Sequence, residues 1–328
     1  MLTYILRRLA LALSVIMATL VSTFLIFFAG PSDPALAMCP ESHCNAQRLA
    51  AITASLGLDK PLTQQFFDYF KGLFVGREFI YAGDTVQCNA PCLGFSFVTR
   101  RSVNDELFSR FPNTVVLALM AAVVFLIIGV TVGIFAAVRR GSSTDRSVVG
   151  ASQVLGAIPY YVLALLVALY PVILWNVLPQ YSAMSAGVGP YFMGMLAPAL
   201  ILGFVTSASY VRYTRNSMIE TLSMDYIRTA RSKGISERTV LFKHGFRAAM
   251  SPIATILGLD IAALLTGTLI TEQIFGVDGI GRRGLAALRA EDLPVIMGTV
   301  LIGAVVVVIM NLVVDIAYSF IDPRVRLS

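Results

Sequence analysis

Charge is what this sequence has least of: 13% of its residues are Asp, Glu, Lys or Arg, against about 25% in ordinary soluble domains. A chain of 328 residues could bury a large core in water, but it would still need a polar surface. With 57% hydrophobic residues and a mean hydropathy of +0.77, too few polar groups remain to build one. Lipid therefore supplies part of the boundary. Histidine is nearly absent too, and His43 and His244 stand apart without an H-E-x-x-H spacing, which leaves a metalloenzyme no ligand set. None of Lys60, Lys71, Lys233 and Lys243 follows a glycine, so no phosphate-binding loop is encoded. The single tryptophan, Trp175, falls with Tyr181 at the end of an apolar run, where an interfacial aromatic belt is expected. The modest excess of Lys and Arg over Asp and Glu, 25 against 19, is scattered between apolar runs. That pattern points to membrane orientation and away from nucleic acid. The four cysteines form two close pairs, Cys39 with Cys44 and Cys88 with Cys92. They read as disulfides on an oxidising side of the membrane and as a metal site in the cytosol.

A hydrocarbon core about 30 Å thick takes about 20 apolar residues of helix. Six runs qualify: Leu9 to Ala29, Val115 to Val138, Val148 to Val177, Phe192 to Val211, Ile253 to Thr271 and Val295 to Phe320. None alternates with period two, so β-barrel strands are excluded. The expected fold is an all-α polytopic membrane protein with six transmembrane helices. Pro159 and Pro171 predict a kink or tilt in the third. With the N-terminus inside, the inner segments hold fifteen of the 25 basic residues against five acids. The positive-inside rule then makes both termini cytoplasmic. This topology puts the cysteines outside and favours disulfides over metal ligation. Of the three pairings four cysteines allow, local loops are open, and a cross-link between the two pairs closes the longer loop and stabilises more. Leu9 to Ala29 is longer than the h-region of a secretory signal, so an uncleaved first helix is expected.

These runs divide the chain into an N-terminal segment with the first helix (1–30), a folded extracytoplasmic cap (31–110) and a five-helix core (111–328). Within the cap, Leu62, Phe66, Phe67, Tyr69, Phe70 and Leu73 have the spacing of an amphipathic helix. Within the core, the basic inner loop 212–251 stands out. Asp225 suits a helix N-cap and Gly234 a C′ position, predicting a two-turn helix over Tyr226 to Lys233. Ser236 is the expected cap of a second helix, and Pro252 the point of return to the membrane. Two short helices joined at a glycine make an elbow able to pass on a partner's motion as a rigid body.

Asp225-Tyr226-Ile227-Arg228-Thr229-Ala230-Arg231-Ser232-Lys233-Gly234, followed by Arg247-Ala248-Ala249-Met250-Ser251-Pro252, resembles the cytoplasmic EAA loop of dipeptide and oligopeptide ABC-transporter permeases. Tyr4-Ile5-Leu6-Arg7-Arg8, Leu56-Gly57-Leu58-Asp59-Lys60-Pro61-Leu62, Arg110-Phe111-Pro112-Asn113-Thr114, Thr271-Glu272-Gln273-Ile274-Phe275 and Asp322-Pro323-Arg324-Val325-Arg326 are similar to the B-type subunit of that family. The resemblance spans nearly the whole chain. It implies a type I importer fold in a bacterial inner membrane and half of a translocation pathway for peptides. The partners it implies are a C-type permease subunit, two cytoplasmic ATP-binding subunits or one fused ATPase, and an extracytoplasmic binding protein. ATP and Mg would be bound by partner subunits, with no cofactor and no catalysis in this chain. The ATPase would grip the helix matching Asp225, Tyr226, Ile227, Arg228, Thr229, Ala230, Arg231, Lys233 and Gly234. The cysteine-bearing stretches depart from the family pattern.

Asp260 and Asp315 interrupt apolar runs, where an ionisable side chain is costly and functional by default. They are candidates for the pathway or for pairing inside the bundle. They also support the alternative of an ion-coupled secondary transporter, which would want paired groups in broken helices of corresponding halves. Gly129, Gly133 and Gly267 are expected to let helices pack closely.

Overall fold

Uninterrupted runs of Leu, Ile, Val, Ala and Phe become helices because lipid offers the backbone no other hydrogen-bond partner. The computed structural model describes residues 2–29, 34–37, 45–81 and 84–321. In chain order the N-terminal elements are α1 (Leu2–Phe28), α2 (Pro34–Ala37), α3 (Ala46–Leu56) and α4 (Leu62–Val75). Four strands follow, β1 (Arg77–Tyr81), β2 (Asp84–Cys88), β3 (Phe95–Ser96) and β4 (Arg101–Ser102). Next come α5 (Val103–Phe108), α6 (Phe111–Val138), α7 (Ser143–Ala157), α8 (Tyr160–Val167) and α9 (Val188–Leu222). The chain continues through α10 (Asp225–Ser232), α11 (Glu237–Thr239), α12 (Arg247–Gly267), α13 (Leu269–Phe275), α14 (Ile280–Arg289) and α15 (Leu293–Ile321). Among the described residues four helices are long and apolar enough to cross a membrane, or up to six if each of two bent pairs counts as one span.

The chain resolves into two compact units, one of residues 1–114 with 278–308 and one of 115–277 with 309–328. Segment 278–308 thus packs with the N-terminal region, whereas the sequence grouped it with the five-helix core. In the first unit, β1 and β2 pair antiparallel from Arg77 opposite Cys88 to Tyr81 opposite Asp84. Their inner face joins Ile52, Phe95, Phe97 and the Cys88–Cys92 disulfide in one buried cluster. The amphipathic helix expected in the cap is α4. Phe66 meets Phe24 of α1 edge-on at 5.3 Å, and Tyr69 and Leu73 are buried.

Segment 278–308 is tied to this unit by polar contacts. Arg110 pairs with Asp278 at 2.9 Å, Asn113 Nδ2 donates to the Asp278 carbonyl, and Thr114 Oγ1 accepts from the Ile280 amide. Arg283 then bridges two buried carboxylates, Glu106 and Asp292, and Ser96 Oγ donates to Asp292 at 2.6 Å.

In the second unit α6 and α9 approach closely at small residues. A Cβ on Gly129 would lie 2.3 Å from Tyr210, and one on Gly133 2.6 Å from Thr214. Both glycines therefore serve packing, as their spacing predicts. The third apolar run is bent by 89° between α7 and the helix over Tyr160–Leu174. Pro159 sits at the break, where it withholds an amide and holds Ile158 extended. Two boundaries differ from expectation. Pro252 lies inside α12, which starts five residues earlier at Arg247. The fifth run is interrupted at Thr268, between α12 and α13, so its last residues form a separate short helix.

Candidate functional site

The elbow of the second unit is built from α9 to α12. Helix α10 runs Asp225–Ser232 with Met224 at the N-cap, one residue earlier than the sequence suggests. Asp225 is therefore the first helical residue and not the cap. Its carboxylate favours the helix dipole and lies 3.4 Å from Arg228 at the surface, an exposed pair of little energetic weight. The C-terminal end is as expected from Gly234. Lys233 closes the helix and Gly234 turns it at φ +75°. The Gly234 amide donates to the Arg231 carbonyl and the Ile235 amide to the Ala230 carbonyl, the paired bonds of a Schellman stop.

This cap folds Ile235 back onto the helix, and a small core forms from Ile227, Ala230 and Val240 with Leu222 and Ile235. Ile227 and Val240 are fully buried. Tyr226, Arg228, Thr229, Arg231 and Lys233 remain exposed. Arg231 forks onto Glu237 at 2.5 and 3.1 Å, joining α10 to α11 across the glycine. The Arg231 hydrogen bond holds the Glu237 carboxyl below its ordinary range. Ser236 occupies the N-cap position of α11, but its hydroxyl meets Thr239 Oγ1 and caps no amide. After α11 the backbone widens to a π-helix over Val240–Phe246, whose Phe242 is half exposed. The result is a short helix with one apolar side rooted in the protein and the other facing outward.

Two ties hold the elbow's supporting helix. Asp145 on α7 accepts both Arg215 Nε (2.5 Å) and Nη2 (2.7 Å) from α9, along with the Gly141 amide. Ser217 Oγ donates to the Ala249 carbonyl of α12. Neither tie was singled out by the sequence reading, because the partners of each lie far apart along the chain. Glu106, Arg283 and Asp292 were missed for the same reason. The motif from Arg110 to Thr114 clamps segment 278–280.

Asp260 does not stand alone in the bundle: Tyr210 donates to its Oδ2 at 2.8 Å. Asp315 lies on α15, but its side chain is outside the described residues. Cys39 and Cys44 also lie outside them. Cys88 and Cys92 are joined to each other with Cα atoms 5.5 Å apart. That pairing excludes the longer cross-link between the two cysteine segments. The local loop forms because the turn after β2 already brings the two Cα atoms within disulfide reach. Among the described residues no cluster of His, Cys, Asp and Glu could hold a metal ion.

The family model described as binding-protein-dependent transport system inner membrane component matches residues 129–327, and its N-terminal counterpart matches residues 1–118. This chain belongs to that family. The permease is 34% identical to the dipeptide transport system permease protein DppB of Escherichia coli K12, across 99% of each chain. It is 36% identical, again across 99% of each, to the glutathione transport system permease protein GsiC of Salmonella choleraesuis. One chain of a solved structure of the MetNI methionine ABC transporter, in an inward-facing conformation, superposes with a TM-score of 0.52. The match covers 66% of the permease and 96% of that chain at 15% identity, a likeness of fold. The permease is thus a multi-pass membrane subunit of an ABC importer.

Proposed function

We propose that residues 225–234 are the handle by which a cytoplasmic ATPase moves this permease, which forms half of a pathway for peptides. One observation carries the reading: α10 is rooted by Ile227 and Ala230, stopped at Gly234, and leaves Tyr226, Arg228, Thr229, Arg231 and Lys233 exposed on its outward side. A helix so anchored transmits a push to α9 and α12 without melting. The names of the relatives, which move dipeptides and glutathione, support small peptides as cargo.

In this reading the permease has six spans, counting each bent pair as one, with both termini and the 212–251 loop in the cytosol. The 31–110 segment faces outward, where its Cys88–Cys92 clasp steadies a surface for an extracytoplasmic binding protein. A C-type permease subunit completes the pathway, and two ATP-binding subunits, or one fused ATPase, bind ATP and Mg. The permease itself catalyses nothing. The Tyr210 bond to Asp260 weakens the rival ion-coupled mechanism, since it gives that carboxylate a partner inside the bundle.

The test is site-directed cross-linking. Arg228→Cys, at an exposed position, is expected to cross-link to an ATPase subunit in inside-out vesicles, with a yield that changes on ATP binding. Cargo uptake by the permease with no ATPase present, or labelling of Arg228→Cys only from the outer side, overturns the proposal.

A further inference from the structure

Arg77 follows directly on α4 and opens β1, and its side chain lies in a cleft of the first unit. Its guanidinium carbon sits 5.0 Å from the ring centre of Tyr69 and 5.2 Å from that of Phe79, so aromatic surface surrounds the cation. Its Nε is buried with no hydrogen-bond partner, and among the described residues no carboxylate lies within ion-pair distance of it. The nearby Asp68 is engaged at 2.7 Å by Lys60. Gly72 makes the seat. A Cβ there would come within 2.3 Å of Arg77 Cδ, so the arginine stem lies flat against α4 only because residue 72 has no side chain.

Gln65 lines the same cleft and is 8% exposed. Its Nε2 is spent on the Lys60 carbonyl at 2.7 Å, while its Oε1 is buried without a partner. The cleft therefore holds a donor and an acceptor, both desolvated and both unpaired, a costly arrangement unless something else occupies it. Burial also holds the Arg77 guanidinium below its ordinary value, outweighing the opposing effects of Tyr69 and of Asp68, which lines the same cleft but is paired with Lys60. The free space is about 40 Å³. On a scale where one water takes about 10–15 Å³, this admits roughly three waters or a single oxyanion group, and no peptide.

The surroundings favour a lipid as the source of that oxyanion. The cleft is walled by Phe24 and Phe28 at the end of α1 and by Pro294 and Met297 at the start of α15, two helices apolar enough to span the bilayer. Helix α4 keeps Phe67, Phe74 and Val75 bare, at 67%, 69% and 71% exposure, and Leu25 and Ile26 of α1 are also uncovered. An amphipathic helix with bare aromatics, packed on the end of a membrane span, belongs at the water–lipid interface.

We propose that Arg77 and Gln65 bind the headgroup of a membrane phospholipid, the phosphate on the guanidinium and a headgroup N–H or O–H on Gln65 Oε1. The acyl chains then lie along the exposed apolar faces of α1 and α4, and the lipid fastens this unit to the bilayer surface.

The test is native mass spectrometry of the purified importer complex titrated with phosphatidylethanolamine. Wild type is expected to hold one tightly bound lipid whose affinity falls by about tenfold or more in Arg77→Met, a loss typical of a charge-assisted phosphate contact. Gly72→Ala, which pushes the arginine off its seat, should weaken binding likewise, and Arg289→Met, at an exposed site of the same unit, should not. If Arg77→Met fails to assemble, Arg77→Lys keeps the charge without the fork and is expected to show the same loss in smaller measure. Equal lipid retention in wild type and the Arg77 variants overturns the proposal. So does Arg77-dependent thermal stabilisation by inorganic phosphate equal to that by lipid, which would make the cleft a site for free anions.

Discussion

Tyr210 on α9 donates its hydroxyl to Asp260 on α12 at 2.8 Å, joining two helices whose partners are fifty residues apart. Phe125 packs against the same tyrosine ring at 4.5 Å, so the bond closes a mostly apolar layer. A carboxylate in an apolar run is costly, and this donor is what makes it tolerable.

An asparagine keeps the acceptor, so Asp260→Asn is expected to retain assembly and cargo uptake close to wild type. Tyr210→Phe removes the donor and leaves Asp260 short of a partner, with an expected cost of about 1–3 kcal/mol. Detergent thermal unfolding and vesicle uptake of the two variants check this. A large uptake defect in Asp260→Asn with normal assembly would move Asp260 to the transport pathway.

Arg283 is 11% exposed and bridges Glu106 and Asp292, which are 3% and 0% exposed. Arg283→Met leaves two buried carboxylates without their cation, an expected loss of about 3–5 kcal/mol. Limited proteolysis between residues 84 and 110 reports it, with cleavage faster in the variant.

Two acids share that one arginine, and burial raises the Asp292 carboxyl above its ordinary 3.8. The folded state thus holds the proton more tightly than the unfolded one. The associated stability is fully present below about pH 3.8 and is lost as pH rises through the raised folded value. Asp292→Asn removes this term. Its thermal midpoint is expected to depend less on pH than that of wild type as pH rises from about 3.8, and parallel pH profiles would refute the assignment.

Ile227 roots α10, and Gly234 stops it. Ile227→Asp puts a charge into the core with Val240 and is expected to abolish ATP-driven uptake while sparing the first unit. Gly234→Ala meets no atom within 4 Å, so only the left-handed backbone costs, about 1–2 kcal/mol. Its uptake should fall partially, and ATPase pull-down from both variants separates loss of grip from loss of folding.

Local features are legible in the sequence. The paired bonds at Gly234 and the amphipathic α4 both follow from residues within one or two turns of each other. Cap position was less so: Met224 precedes α10 although Asp225 is the better capping residue, because the helix start is set by where Ile227 must point to reach Val240. The 89° bend after α7 falls at Pro159, as the proline predicts, whereas the break at Thr268 lies in a run whose composition alone reads as continuous.

The sequence by itself determined that this chain lives in lipid, that its apolar runs are helices and that a capped elbow follows α9. Run length, charge placement and turn residues are short-range properties, and the bilayer enforces them. The tertiary structure alone decided which buried charges meet. Arg283 finds Glu106 across 177 positions and Arg215 finds Asp145 across 70. No local preference encodes such pairs, since their energy appears only once both partners have been drawn out of water together.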